Sequence, residues 1–202
     1  MGKDVARVPM EMALLFNKTS LFRFLYYTNK SPLEKKILDC GAGGVYPPLA
    51  LFSSFGYETY GVDIDKRQLR RANAFLKKYA FSSTLLQEDM RKLPFEDDSF
   101  SFAYTYNSIF HMEKRDMVAS LSEMARVVRK GGLIYFNVLT SNENYVPPEQ
   151  GYVMPEIDTK DFNCAKLPFA HKVIYRLERR VKSNYCDDIY SAGFVDYYLQ
   201  VE

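Results

Sequence analysis

From about residue 36 the chain alternates short β-rich apolar runs with stretches of helical periodicity, the pattern of parallel βαβ units. Lys36 to Cys40 reads as a first strand that breaks at the glycine cluster Gly41-Ala42-Gly43-Gly44. A short helix is expected from about Pro47 to Phe55, with prolines in the first turn, where no backbone donor is missed, and Gly56 at its end. Thr59 to Val62 forms a second strand closing at Asp63, and Asp65 is placed to cap a helix that buries Leu69, Ala72, Leu76 and Tyr79. The lysines and arginines of that helix fall mostly off this face and read as a solvated surface rather than an RNA stripe.

A third strand (Ser83 to Gln87) runs into Glu88-Asp89-Met90, and a fourth (Phe100 to Tyr104) exits through Tyr106-Asn107-Ser108-Ile109-Phe110-His111. The next helix buries Met117, Leu121, Met124 and Val128 and is expected to stop at Gly131-Gly132, before a fifth strand over Leu133 to Val138. The ends differ from this middle. Residues 9–28 are aromatic-rich and predict a helix over the sheet edge, a candidate lid carrying Tyr26 and Tyr27. Past Ser141 the prolines Pro147, Pro148, Pro155 and Pro168 deny a long early helix. Val173 to Leu177 and Phe194 to Leu199 then suggest an antiparallel hairpin. The expected fold is one α/β domain over 1–202: a doubly wound, mostly parallel sheet with helices on both faces, a core over 34–139 and a substrate-side region over 140–202.

Composition narrows the partners. A chain of 202 residues suits one domain, and its 47% hydrophobic and 26% charged residues are those of a soluble protein. A net charge of +2 gives no electrostatic case for nucleic acid. Cys40, Cys164 and Cys186 match neither a disulfide framework nor a metal-ligand spacing, so no metal is expected and a reducing cytoplasm is. The apolar run from Met12 to Phe16 is too short for a signal peptide or a membrane span.

Doubly wound sheets bind ligands outside the carboxyl ends of their strands. Four strand ends here offer suitable groups. Gly41 to Gly44 would let a ligand approach the backbone, and Asp63 is a carboxylate for two ribose hydroxyls. Asp89 and Met90 are placed to meet a base, and Asn107 to His111 would face the chemistry. No Gly-Lys-Ser/Thr follows the glycines, which argues against a triphosphate. A dinucleotide stays possible, although Tyr46 stands where its fingerprint wants glycine and Asp39 disfavours an anion at the turn.

The run Ile37-Leu38-Asp39-Cys40-Gly41-Ala42-Gly43 resembles the first motif of class I S-adenosylmethionine-dependent methyltransferases, and Gly61-Val62-Asp63-Ile64-Asp65 resembles their second-strand motif. Glu88 to Phe95 is similar to their adenine-contact segment, Asp98-Ser99-Phe100 to the entry of their fourth strand, and Arg126 to Gly132 to the helix end before their fifth. The likeness covers about residues 34–139 and is nearest the ubiquinone/menaquinone-biosynthesis branch. It implies a Rossmann-like fold with S-adenosyl-L-methionine as cofactor. It also implies that Gly41, Ala42 and Gly43 lie against the methionine part and that Asp39 orients the amino group. Asp63 with Ile64 would hold the ribose, Asp89 and Met90 would meet adenine, and Tyr106 would complete the site. Val45, Pro47-Pro48 and the lack of helical periodicity over 141–171 depart from the family pattern.

The implied reaction is methyl transfer to a small-molecule acceptor by in-line displacement, in which the protein aligns the reactants and excludes water. His111 is the candidate base, if the acceptor must lose a proton, or else a hydrogen-bonded residue opening the next helix. Asn107, His111 and Tyr27 are candidates for the acceptor pocket. An NAD-dependent oxidoreductase and a non-catalytic S-adenosylmethionine-binding protein remain as alternatives.

Overall fold

The computed structural model describes residues 19–143, 162–185 and 188–202. Seven strands form one sheet in the order β3-β2-β1-β4-β5-β7-β6. They are β1 (Lys36–Cys40), β2 (Glu58–Asp63), β3 (Thr84–Gln87), β4 (Phe100–Thr105), β5 (Val128–Glu143), β6 (His171–Tyr185) and β7 (Asp188–Val201). β1 pairs parallel with both β2 and β4, β2 with β3, and β4 with β5, so the chain order reverses between β1 and β4. β7 pairs antiparallel with β5 and β6, which confirms the expected hairpin and lengthens both of its strands.

The helices among the described residues are α1 (Thr19–Lys30), α2 (Leu49–Ser54), α3 (Lys66–Lys78) and α4 (Lys114–Val127). On one face, Phe24 of α1 and Phe52 of α2 pack with Tyr104, Tyr135 and Tyr198 from three strands, and Ala50 of α2 meets Phe75 and Leu76 of α3. On the other, Met117, Leu121 and Met124 of α4 cover Leu38, Ala103 and Ile134, and Phe162, Cys164 and Leu167 extend that layer. Among the described residues no helix is long and apolar enough to cross a membrane.

The Asp65 cap is present: its side chain accepts from Arg67 N at 2.7 Å. Phe75, not Tyr79, completes the buried face of α3, because Tyr79 already lies in the C-cap. The helix expected to run to Gly131-Gly132 stops at Val127, and Val128 pairs with Phe100 as the start of β5. The glycines serve a strand irregularity instead. Gly131 has φ +80°, and a Cβ on Gly132 would collide with the Ser101 carbonyl of the neighbouring strand. The N-terminal helix was expected over a sheet edge, but α1 lies on the sheet face, where Phe24 meets Tyr135 at 5.7 Å and Tyr198 at 6.1 Å between ring centroids. Residues 9–18 of that helix, and Pro147, Pro148 and Pro155, lie outside the described residues.

Candidate functional site

The loops at the carboxyl edge are bound to one another by backbone groups. Gly41 N and Ala42 N both donate to the Val62 carbonyl, at 2.8 and 2.9 Å, lapping the turn after β1 over β2. Gly43 N donates to Asp63 Oδ2 at 2.9 Å and Gly44 N to the Gln68 carbonyl at 3.1 Å. The other oxygen of Asp63 accepts from Asp65 N at 2.8 Å. Glu88 N, after β3, donates to the Asp63 carbonyl at 3.2 Å. A Cβ on Gly41, whose φ is +101°, would stand 2.6 Å from Ser108 Cβ and 3.6 Å from Met90 Cε. The ends of β1, β2, β3 and β4 therefore meet at one place.

This changes the role expected of the glycines. The space a side chain would take at Gly41 and Gly43 is filled by Ser108 and by Asp63 with Gln68, so these glycines first let the loops close on one another. Gly44, with φ +110°, faces open space. The Ala42 side chain is buried against β2, where a Cβ on Gly61 would lie 2.5 Å from it, so Ala42 offers a ligand only its backbone.

Asp39 lies beneath the turn, buried, and accepts from the Tyr104 hydroxyl at 2.8 Å. Burial and the adjacent Asp39 charge push the Tyr104 phenol well above its usual range. Asp63 is half-buried, and Ile64 beside it is 66% exposed, an apolar side chain left on the surface. Met90 is buried under the same turn. The Asp89 carboxylate is already gripped: Arg91 donates from Nε at 2.9 and 3.0 Å, from Nη2 at 2.6 Å and from its backbone N at 2.9 Å. Those bonds hold the Asp89 carboxyl below the usual range, and Arg91 reaches on to Asp116 of α4 at 2.6 Å. An adenine amine would therefore share Asp89 with Arg91.

After β4, Asn107 takes a left-handed φ of +53° and is locked to buried Asn137 of β5. Asn107 N donates to Asn137 Oδ1 at 2.8 Å, and Asn137 Nδ2 donates back to Asn107 Oδ1 at 2.6 Å. His111 is exposed as a residue, yet neighbouring protein atoms partly desolvate its ring and push its pKa down, opposed by a hydrogen bond to the Asn107 backbone. Phe110 beside it packs with Leu139 and Phe194. Tyr106 is half-buried, its phenol raised chiefly by burial. Tyr27 belongs elsewhere: its ring packs on Tyr175 at 6.2 Å and Tyr198 at 6.0 Å, in the seam between α1 and the hairpin.

Residues 38–136 match the family described as methyltransferase domain. Over those residues the chain is similar to class I S-adenosylmethionine-dependent methyltransferases. It is 29% identical over 130 residues to sterol 24-C-methyltransferase ERG6B of Gibberella zeae, covering 62% of this chain and 34% of that protein. It is 33% identical over 99 residues to methyltransferase GfsG of Streptomyces halstedii, covering 48% of this chain and 35% of the other. The chain thus spans about a third of the length of these relatives. In fold it is similar to a crystal structure of a SAM-dependent methyltransferase from Methanosarcina mazei, with TM-score 0.64, 18% identity and coverage of 87% of this chain and 96% of that one.

Within the matched segment the structure brings together Gly41, Gly43, Asp63, Met90 and the Asn107–Ser108 turn, and outside it sets Tyr27 in the helix–hairpin seam. Sequence reasoning missed Ser108, Gln68, Tyr104 and Asn137. Ser108 lies inside the Asn107–His111 segment already singled out, but no sequence signal links Tyr104 to Asp39 or Asn137 to Asn107 across strands.

Proposed function

We propose that this methyltransferase domain moves the methyl group of S-adenosylmethionine to a small-molecule acceptor at the carboxyl edge of β4 and β5. The carrying observation is the convergence of the β1, β2, β3 and β4 loops on Asp63 and Gly41. The residues present fit the ligand. Each Asp63 oxygen accepts one backbone N–H and keeps a second lone pair for a ribose hydroxyl. Exposed Ile64 offers an apolar surface to adenine, and Asp39 beneath the turn supplies negative charge near the amino group. The cofactor, when bound, supplies an activated methyl on a sulfonium, so the chain's task is alignment and exclusion of water.

On the acceptor side, the Asn107–Asn137 lock fixes the loop that presents His111. With its pKa lowered, His111 is neutral near pH 7, the state in which an imidazole can take a proton from an acceptor that must lose one. Tyr106 would shape the opposite wall. The apolar patch of Phe110, Leu139 and Phe194 supports an apolar ring compound as acceptor. The sterol named in the relatives and the quinone precursors suggested by the motifs share that chemistry. A reducing, cytoplasmic setting suits the buried free thiols Cys40 and Cys164.

Calorimetry with S-adenosylhomocysteine and with NAD tests the reading: the first saturates one site and the second does not bind. Mass detection of methylated product from a metabolite extract then separates an enzyme from a cofactor-binding scaffold. Saturable NAD binding with none of S-adenosylhomocysteine overturns the proposal.

A further inference from the structure

On the α4 face of the sheet, away from the glycine turn, lies a cavity of about 760 Å³. Three cations from separate elements line it: Lys114 at the start of α4, Lys166 at the end of the 3-10 turn Cys164–Lys166, and Arg176 of β6. Among the described residues no acidic side chain lines it. Glu178 pairs with Arg176 at 2.5 Å from outside the lining and leaves the rest of the guanidinium's donors to the cavity.

The floor is apolar and rigid. Tyr197 stacks on Phe136 at 5.1 Å and 17°, and Phe162 packs edge-on against both. The Arg176 guanidinium lies 5.8 Å from the Tyr197 ring centroid. Helix α4 opens at the same wall, where Lys114 follows Glu113 and precedes Asp116 in the first turn. The volume is that of a small-molecule site.

We propose that this cavity binds a small amphipathic organic anion, a carboxylate or phosphate ester whose charged group meets Lys114, Lys166 and Arg176 and whose apolar body lies on Phe162 and Tyr197. None of these residues belongs to the cofactor cleft. The inference therefore stands apart from the methyl-transfer reading.

Hexyl phosphate and inorganic phosphate, titrated into the full chain by calorimetry, provide the test. Hexyl phosphate is expected to saturate one site at least tenfold more tightly than inorganic phosphate, because only it covers the aromatic floor. The exposed double change Lys166→Glu with Arg176→Glu should weaken it at least tenfold and leave S-adenosylhomocysteine affinity within twofold. If the double variant fails to fold, Lys166→Gln alone should weaken hexyl phosphate about threefold. Absence of saturable binding, equal affinity for the two phosphates, or unchanged affinity in the variant that folds overturns the proposal. Loss of S-adenosylhomocysteine binding in the unmodified chain would strike the methyl-transfer reading and leave this site untouched. Hexyl phosphate inhibiting methyl transfer to an extract marks the anion as part of the acceptor, and transfer that continues marks it as a separate ligand; both sustain the site.

Discussion

The two halves of the carboxyl edge are held by different means. At the cofactor end, Gly41, Ala42 and Gly43 donate backbone N–H groups to Val62 and Asp63, about 20 residues away. At the other end, fully buried Asp196 of β7 accepts from Ser20 Oγ of α1 at 2.6 Å, the Tyr135 hydroxyl at 2.9 Å and Arg179 Nε at 2.8 Å. Tyr198 OH ties back to the Ser20 carbonyl at 2.8 Å, 178 residues away. The first half is a local backbone device that closes the loops on one another. The second is a long-range side-chain device that fastens α1 and the hairpin to the sheet.

The sharpest way to break that contrast is Asp196→Ala. It leaves Arg179, whose side chain is only 21% exposed, without its carboxylate and removes the acceptor of Ser20 and Tyr135. A loss of about 3–5 kcal/mol in urea unfolding is expected, the cost of breaking a buried pair from one side. S-adenosylhomocysteine affinity of the folded fraction should stay within about twofold. A stable variant that has lost cofactor affinity would erase the distinction between the halves.

The reverse experiment is Asp63→Ala. Losing charge-assisted hydrogen bonds to a ribose diol costs about 2–4 kcal/mol of binding, roughly 30- to 1000-fold by calorimetry. Stability should fall less, by about 1–2 kcal/mol, because the Gly43 and Asp65 N–H groups it frees lie at a half-open cleft.

The same contrast explains what the sequence disclosed. The five parallel strands, the Asp65 cap and the placing of Gly43 and Asp63 at neighbouring strand ends follow from short periodic runs and turn residues, whose causes lie within a few residues or one βα unit. The hairpin was legible as two strands, but neither Asp196 nor its partners were, since burying a carboxylate depends on residues distant in the chain. Gly131-Gly132 misled for a related reason. A glycine pair after a helix reads as its stop, whereas here the need for it comes from the neighbouring strand's Ser101 carbonyl. Tyr27 looked like a lid residue because an exposed aromatic and one packed on Tyr198 look alike in sequence.

Arg91→Gln probes the seam between cofactor loop and helix. Asp89, with its folded pKa lowered by Arg91, contributes stability that is present above its unfolded value and lost as pH falls through the folded one. Removing Arg91 should erase that acid-side contribution and lower stability only slightly near neutrality, as expected of a solvent-exposed pair. Urea melts of both proteins across the acid range check it. An unchanged acid limb would mean that Asp89 owes its low pKa to something other than Arg91.

The smallest effect belongs to His111, where the sign runs opposite to that of a salt-bridged histidine. Crowding lowers its folded pKa, so below its ordinary value of about 6.5 the unfolded chain takes up the proton first. Stability is then fully present above that pH and declines as pH falls toward the folded pKa. His111→Gln should flatten this decline while leaving the Asn107–Asn137 lock intact, since that lock uses the Asn107 N–H and both side-chain amides. If His111 also takes the acceptor's proton, the acid limb of kcat/KM for methyl transfer disappears in the same variant, while S-adenosylhomocysteine affinity stays unchanged. A flattened stability profile with an unaltered rate profile would assign His111 to the fold alone and leave proton removal to the acceptor's own chemistry or to water.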